Sequence, residues 1–123
     1  MRTHLGFALF AWVIMPEHVH LLVRPSPPEI TVPRILMGIK RPVATEILAN
    51  QRACGADSQA RFWQPGGGYD RNIFSNEELI EKINYIHQNP VRRGLVDRPE
   101  DWVWSSARAY AGLPTQWSEI DHP

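Results

Sequence analysis

The stretch Phe7–Arg24, FALFAWVIMPEHVHLLVR, decides how the chain folds. Phe7 to Met15 is an unbroken apolar run of strand length, which reads as a β-strand covered on both faces. Pro16-Glu17 is a turn signal, because proline presets its own φ. His18 to Arg24 follows as a second strand rich in Val and Leu. Together they predict a tight hairpin. His18 and His20 are two residues apart on that second strand and therefore share a face, while Val19 turns the other way into the core. Two imidazoles so placed can hold one cation, but a metal usually takes at least a third protein ligand. The plainer alternative is a pair of hydrogen-bonded histidines at a strand start.

Working outward, Met1-Arg2 followed by the apolar run Leu5–Met15 mimics the start of a signal peptide. The run is too short to cross a bilayer. Pro16-Glu17-His18 follows it instead of a small-x-small cleavage site, so a buried strand is the better reading. On the other side, Pro25-Ser26-Pro27-Pro28 breaks the chain into a loop. Thr31 to Ala53 then shows helical apolar spacing at Ile35, Ile39, Val43, Ile47 and Leu48. Pro33 lies near its start, and Pro42 inside it predicts a kink or restart near Arg41. Arg61-Phe62-Trp63 and Tyr69 to Phe74 look like strand pieces around Pro65-Gly66-Gly67-Gly68.

Ser75-Asn76-Glu77-Glu78 has the form of a capping box and predicts a helix start. The helix is expected to run to Asn89 and to stop at Pro90. Its apolar stripe is Leu79, Ile83 and Ile86. Tyr85 and Asn89, four apart, stack on one face at the edge of that stripe, next to solvent. Asn89 could give an amide oxygen to a hard metal. Tyr85 could give a phenol, whose pKa of about 10 makes it a weak nucleophile unless its anion is stabilised. A half-buried tyrosine and an asparagine closing the helix are the plainer readings. Trp102 to Tyr110 reads as a short aromatic-rich element, helical from Ser105.

Composition narrows the function classes. A length of 123 residues suits one domain, 1–123, with 113–123 as a loosely ordered tail. The chain is 43% hydrophobic and 21% charged, enough to bury a core. Thirteen Lys and Arg balance 13 Asp and Glu, which argues against a generic basic protein that coats DNA. Eleven of the 13 cations are Arg, the side chain suited to bidentate phosphate contact, so a focused phosphate site stays open. A single cysteine, Cys54, excludes an internal disulfide and a cysteine-based zinc site, and it fits a reducing compartment. A cytoplasmic protein without a membrane partner is the expectation.

Taken together, the segments are similar to a known family. Trp12–Val23 (WVIMPEHVHLLV) resembles the His-hydrophobic-His strand of the IS200-like transposases, and more closely that of the REP-associated tyrosine transposase branch. Tyr85–Val96 (YIHQNPVRRGLV) is similar to the family's tyrosine helix and the turn after it. Trp102–Tyr110 (WVWSSARAY) resembles its closing segment, and Phe62-Trp63-Gln64 sits where a Phe/Leu-Trp-Gln run is common. The likeness spans roughly residues 10–112, and its specificity lies in the combination.

The resemblance implies an α+β, ferredoxin-like antiparallel sheet with helices packed on it. It also implies cleavage and rejoining of single-stranded DNA at hairpin-forming repeats through a 5′-phosphotyrosine on Tyr85. His18, His20 and Asn89 would hold Mg²⁺ or Mn²⁺, with Asn89 at the position of the family's helix-borne ligand. His87, about 160° from Tyr85 on the helix, ranks below Asn89 as a ligand and reads as packing or a DNA contact. Arg92, Arg93, Lys40 and Arg41 are candidate phosphate contacts. Tyr69, Trp63 and Trp104 could stack on bases. Glu17 stands where the family commonly has Asn.

Family members usually carry a strand and a helix ahead of the His-x-His hairpin. Only about ten residues precede Ala11-Trp12 here, so that unit is expected to be absent, which would bare an apolar strand edge. A start codon placed too late, a decaying gene, or pairing with a partner chain in a homodimer each fit. The rival functions are a hairpin-DNA-binding module without catalysis and a small α+β metal- or ligand-binding protein.

Overall fold

A computed structural model describes residues 6–26, 30–53, 72–115 and 120–121. The chain, whose length suits one domain, gathers into two compact units. The first comprises residues 1–7 and 25–71, and the second residues 8–24 and 72–123. Readings on Cys54, Trp63, Gly66–Gly68 and Tyr69 lie outside the described residues.

In the second unit the apolar run and the His-x-His segment form the expected hairpin, strands β1 (Phe7–Ile14) and β2 (Val19–Pro25). The Met15 N–H donates to the His18 carbonyl at 2.8 Å and closes the turn over Pro16-Glu17. Phe10 and Ala11, neighbours on opposite faces of β1, are both buried, so the middle of the strand is covered on both sides. Ile14 at its end is exposed.

The other edge of β1 is covered by a segment far along the chain. The Ile14 N–H donates to the Trp104 carbonyl at 2.8 Å, and the Ser106 N–H to the Trp12 carbonyl at 3.0 Å. Val13 and Ser105 form an antiparallel bridge, and the Trp102 indole donates to the Ile14 carbonyl at 3.0 Å. Asp121 serves Leu9 in the same way, giving its N–H to the Leu9 carbonyl and accepting the Leu9 N–H on its carboxylate. A strand edge thus meets its backbone hydrogen-bonding requirement without a regular third strand. Among the described residues the sheet is two-stranded, order β1-β2.

Helix α2 (Asn76–Arg92) packs on this hairpin, while helix α1 (Val32–Ala53) belongs to the first unit. Ser75, in extended backbone, accepts the Glu78 N–H on its hydroxyl at 3.1 Å, which satisfies one of the open donors at the helix start. Glu77 and Glu78 in the first turn and Arg92 in the last suit the helix dipole. Ile83 and Ile86 join Phe10, Ala11, Val13, Met15 and Leu22 in one core, flanked by Leu79, Ile73, Trp102 and Tyr110. Burial of each isoleucine contributes roughly 1.5–3 kcal/mol.

The helix does not stop at Pro90 as the sequence suggests, but runs through it to Arg92. Proline here costs one hydrogen bond in the last turn, and its ring is fully buried, so packing offsets the loss. Gly94 then takes φ +72°, a left-handed turn residue after the helix. A 3₁₀ turn (Pro99–Asp101) and a one-turn helix α3 (Ala107–Tyr110) complete the unit. The expected helical start at Ser105 is displaced because Ser105 bridges to β1.

In the first unit, helix α1 (Val32–Ala53) is continuous with Pro42 inside it, so the proline does not divide the helix. Thr31 starts it, its hydroxyl accepting the Arg34 N–H at 3.4 Å, and Ile35 is buried. Gly6 takes φ +73°, and a Cβ there would lie 3.3 Å from both Ile30 and the Ser26 carbonyl. Both the conformation and the space call for glycine.

Candidate active site

The two imidazoles meet as their spacing predicts. His18 Nε2 and His20 Nε2 share a hydrogen bond at 3.0 Å, the plainer of the two readings of the pair, with the rings at 88°. Helix α2 sets Tyr85 beside them. The His20 and Tyr85 ring centroids are 6.2 Å apart, edge to face, and Tyr85 is 49% exposed, so its ring is open to a large ligand. The phenol on the later helix and the imidazole pair on the early hairpin thus form one cluster on the second unit.

The donor geometry fits a small divalent ion. Two neighbouring ligands of an octahedral ion at about 2.1 Å stand about 3.0 Å apart, which is the separation of the two Nε2 atoms. Among the described residues no group of three His, Cys, Asp or Glu could hold a metal. Asn89, the helix-borne candidate, is an amide and falls outside that set of residue types. Asn89 is one turn beyond Tyr85 and is 6% exposed, buried where the sequence placed it at the solvent edge. The whole end of the helix from Ile86 to Pro90 is sunk in the unit more deeply than the apolar stripe suggests, with Ile86, His87 and Pro90 buried as well.

Charge around the cluster is organised by Arg92, Arg93 and Glu17. The Arg92 guanidinium lies over the Tyr85 ring with Cζ 3.9 Å from its centre, and the Lys82 ammonium stands 5.3 Å from that centre. Lys82 was not singled out in the sequence, although its i−3 spacing from Tyr85 carried the signal. Arg93 pairs with Glu17, whose carboxylate is also 3.0 Å from His18 Nδ1. The Arg93 hydrogen bond holds the Glu17 carboxyl below its usual range. Burial, helped by His18 and Arg92, lowers the pKa of His20, which favours the neutral imidazole.

His87 takes the packing role. It is 8% exposed, its Nε2 shares a 2.7 Å hydrogen bond with Ser106 Oγ, and its ring packs against Tyr110. Burial lowers its pKa to about 4. Lys40 and Arg41 belong to the first unit, midway along α1, with Arg41 exposed. Trp104, a candidate base-stacking residue, is 48% exposed and lends its carbonyl to β1.

An α+β hairpin bearing a His-x-His pair, with a tyrosine helix laid beside it, defines a recognisable class. The family model described as "Transposase IS200 like" matches residues 1–89, and the chain belongs to that family. It is 28% identical over 102 residues to the REP-associated tyrosine transposase of Escherichia coli strain K12, covering 81% of this chain and 54% of that protein. A Haemophilus influenzae relative, named for the same group, is 25% identical over 112 residues, covering 84% of this chain and 60% of its own length. The chain thus spans little more than half the length of these curated relatives. A solved REP-associated tyrosine transposase bound to a REP hairpin superposes with a TM-score of 0.65 at 27% identity, covering 96% of this chain and 67% of that one. Among the described residues no helix is long and apolar enough to cross a membrane.

Proposed function

We propose that this chain carries the chemical centre of a transposase that cleaves and rejoins single-stranded DNA at hairpin-forming repeats. The observation that carries the reading is the approach of the exposed Tyr85 ring to the His18–His20 pair, with centroids 6.2 Å apart. The solved relative's REP hairpin supports hairpin DNA as the substrate.

In this reading the Tyr85 oxygen attacks a backbone phosphorus and forms a P–O bond. The P–O3′ bond breaks, and its electron pair leaves with the 3′ oxygen. That oxygen takes up a proton in balance with the one lost from the phenol. The products are a 5′-phosphotyrosine and a free 3′-OH. A second 3′-OH reverses the step and joins DNA without an external energy source, because the phosphotyrosine conserves the bond. His18, His20 and Asn89 would hold Mg²⁺ or Mn²⁺, which when bound supplies Lewis-acid polarisation of the scissile phosphate. The Arg92 guanidinium fixes the Tyr85 ring from one face. Arg93, Lys40 and Arg41 are the remaining candidate phosphate contacts.

The test is a covalent-adduct gel with end-labelled hairpin DNA and Mn²⁺. Wild type forms a protein–DNA adduct and Tyr85→Phe forms none. A wild type that forms no adduct removes the enzymatic reading. Salt-sensitive hairpin binding that persists in Tyr85→Phe would then favour a binding module.

A further inference from the structure

Glu17 lies in the hairpin turn, and the turn brings its carboxylate back to the site. Its Oε1 lies 3.0 Å from His18 Nδ1, on the side of the ring away from the atom that meets His20. An ionised carboxylate only accepts hydrogen bonds, so Nδ1 must carry the hydrogen. The His18 Nε2 atom then keeps its lone pair, which accepts the His20 Nε2–H at 3.0 Å in the metal-free chain and which a cation would take in its place. The second contact of Glu17 is the Arg93 guanidinium. Arg93 closes helix α2, its N–H on the Asn89 carbonyl at 3.0 Å. One ion pair therefore ties the hairpin turn to the end of the helix that carries Tyr85 and Asn89.

We propose that Glu17 and Arg93 are positioning residues, with Glu17 fixing the ring orientation and tautomer of His18 for a divalent cation and Arg93 anchoring Glu17 to the tyrosine helix. The inference rests on the metal reading given under Proposed function. It gives Arg93 a different role from the DNA contact that the sequence suggests. Glu17 does not serve as a ligand, because its carboxylate faces Nδ1 and not the convergence of the Nε2 atoms. A carboxylate behind a metal-binding histidine commonly changes metal affinity by about 10–100-fold when removed.

Two measurements test the proposal without any reading of activity. Long-range ¹H–¹⁵N spectra of the metal-free protein report the His18 tautomer. The wild type should show the Nδ1–H form and Glu17→Ala a mixture; an Nε2–H form in the wild type would overturn the proposal. Calorimetric titration with Mn²⁺ reports affinity. Glu17→Ala should bind about 10–100-fold more weakly, Glu17→Gln, whose amide oxygen still accepts from Nδ1, should recover most of that loss, and Arg93→Ala should fall between. Wild-type affinity in Glu17→Ala, alongside lost binding in His18→Ala, would refute the positioning role while leaving the metal reading intact. Absence of binding in the wild type would remove the metal reading, and this proposal with it.

Discussion

Arg92 is stacked on Tyr85: its Cζ is 3.9 Å from the ring centre while its Nη2 donates to the Tyr85 carbonyl oxygen at 3.0 Å. The two residues are seven apart, two helical turns, and so share a face. That alignment exists only because α2 continues through Pro90 to Arg92. A guanidinium on an aromatic face contributes about 0.5–2 kcal/mol, enough to hold an exposed ring in one orientation.

Arg92→Ala should therefore slow adduct formation by about tenfold, corresponding to about 1.4 kcal/mol, with hairpin affinity falling less than threefold. Arg92→Lys should recover only part of the rate, since an ammonium lacks the planar stacking surface. Single-turnover rates and binding isotherms over a salt series check this. A large affinity loss with a salt slope smaller by about one would instead mark Arg92 as a phosphate contact.

A second expectation concerns acid. His87 is buried neutral with a pKa lowered to about 4 from its ordinary 6.5. Above pH 6.5 neither the folded nor the unfolded chain protonates it. As pH falls from 6.5 towards 4 the unfolded chain takes up a proton that the folded chain refuses, so stability is lost on acidification. Between pH 7.5 and pH 5 the loss should be about 2 kcal/mol. Urea unfolding of wild type and His87→Asn at both pH values isolates it, because the effect of His20 is common to both proteins and cancels in the difference.

Local rules made part of this legible. The two-residue period put His18 and His20 on one face, Pro16-Glu17 announced the turn, and Ser75 announced the helix start. Tyr85 could be placed at the border of the apolar stripe for the same reason. What could not be read is non-local. Nothing near Trp102–Ser106 announces that these residues will lie along β1, since the partner atoms are about ninety residues away in sequence. Pro90 misled because a rule about one missing N–H outweighed, on paper, the burial of its ring. The contact of Glu17 with His18 was equally hidden, because Glu17 sits in the turn ahead of β2, where strand alternation does not say which way a side chain faces.

Ser106 joins three elements and should be more costly to lose than its size suggests. It is fully buried, accepts the Trp12 N–H at 3.0 Å and bonds His87 at 2.7 Å. Ser106→Ala leaves a backbone donor and an imidazole nitrogen unsatisfied, for about 2–4 kcal/mol. Tyr110→Phe removes one hydroxyl from the Phe10 carbonyl, a 2.6 Å bond at a partly exposed site, and should cost about 1 kcal/mol. Equilibrium urea midpoints give the order; equal losses would mean that Ser106 does not dock α2 on the hairpin.

Metal linkage gives the last expectation. A cation that binds only the folded chain raises stability by RT ln(1 + [L]/Kd), about 2.7 kcal/mol at a concentration of a hundred times Kd. In the proposed reading His18, His20 and Asn89 exist as a set only when α2 is docked on the hairpin, so Mn²⁺ should raise the melting temperature and EDTA should return it to the metal-free value. His18→Ala and His20→Ala should each abolish the Mn²⁺ response. Asn89→Ala should weaken it and also lower the metal-free melting temperature, because the residue is buried. Tyr85→Phe keeps the ring and should keep the full response. A shift of equal size in the two histidine variants would place the ion elsewhere on the protein.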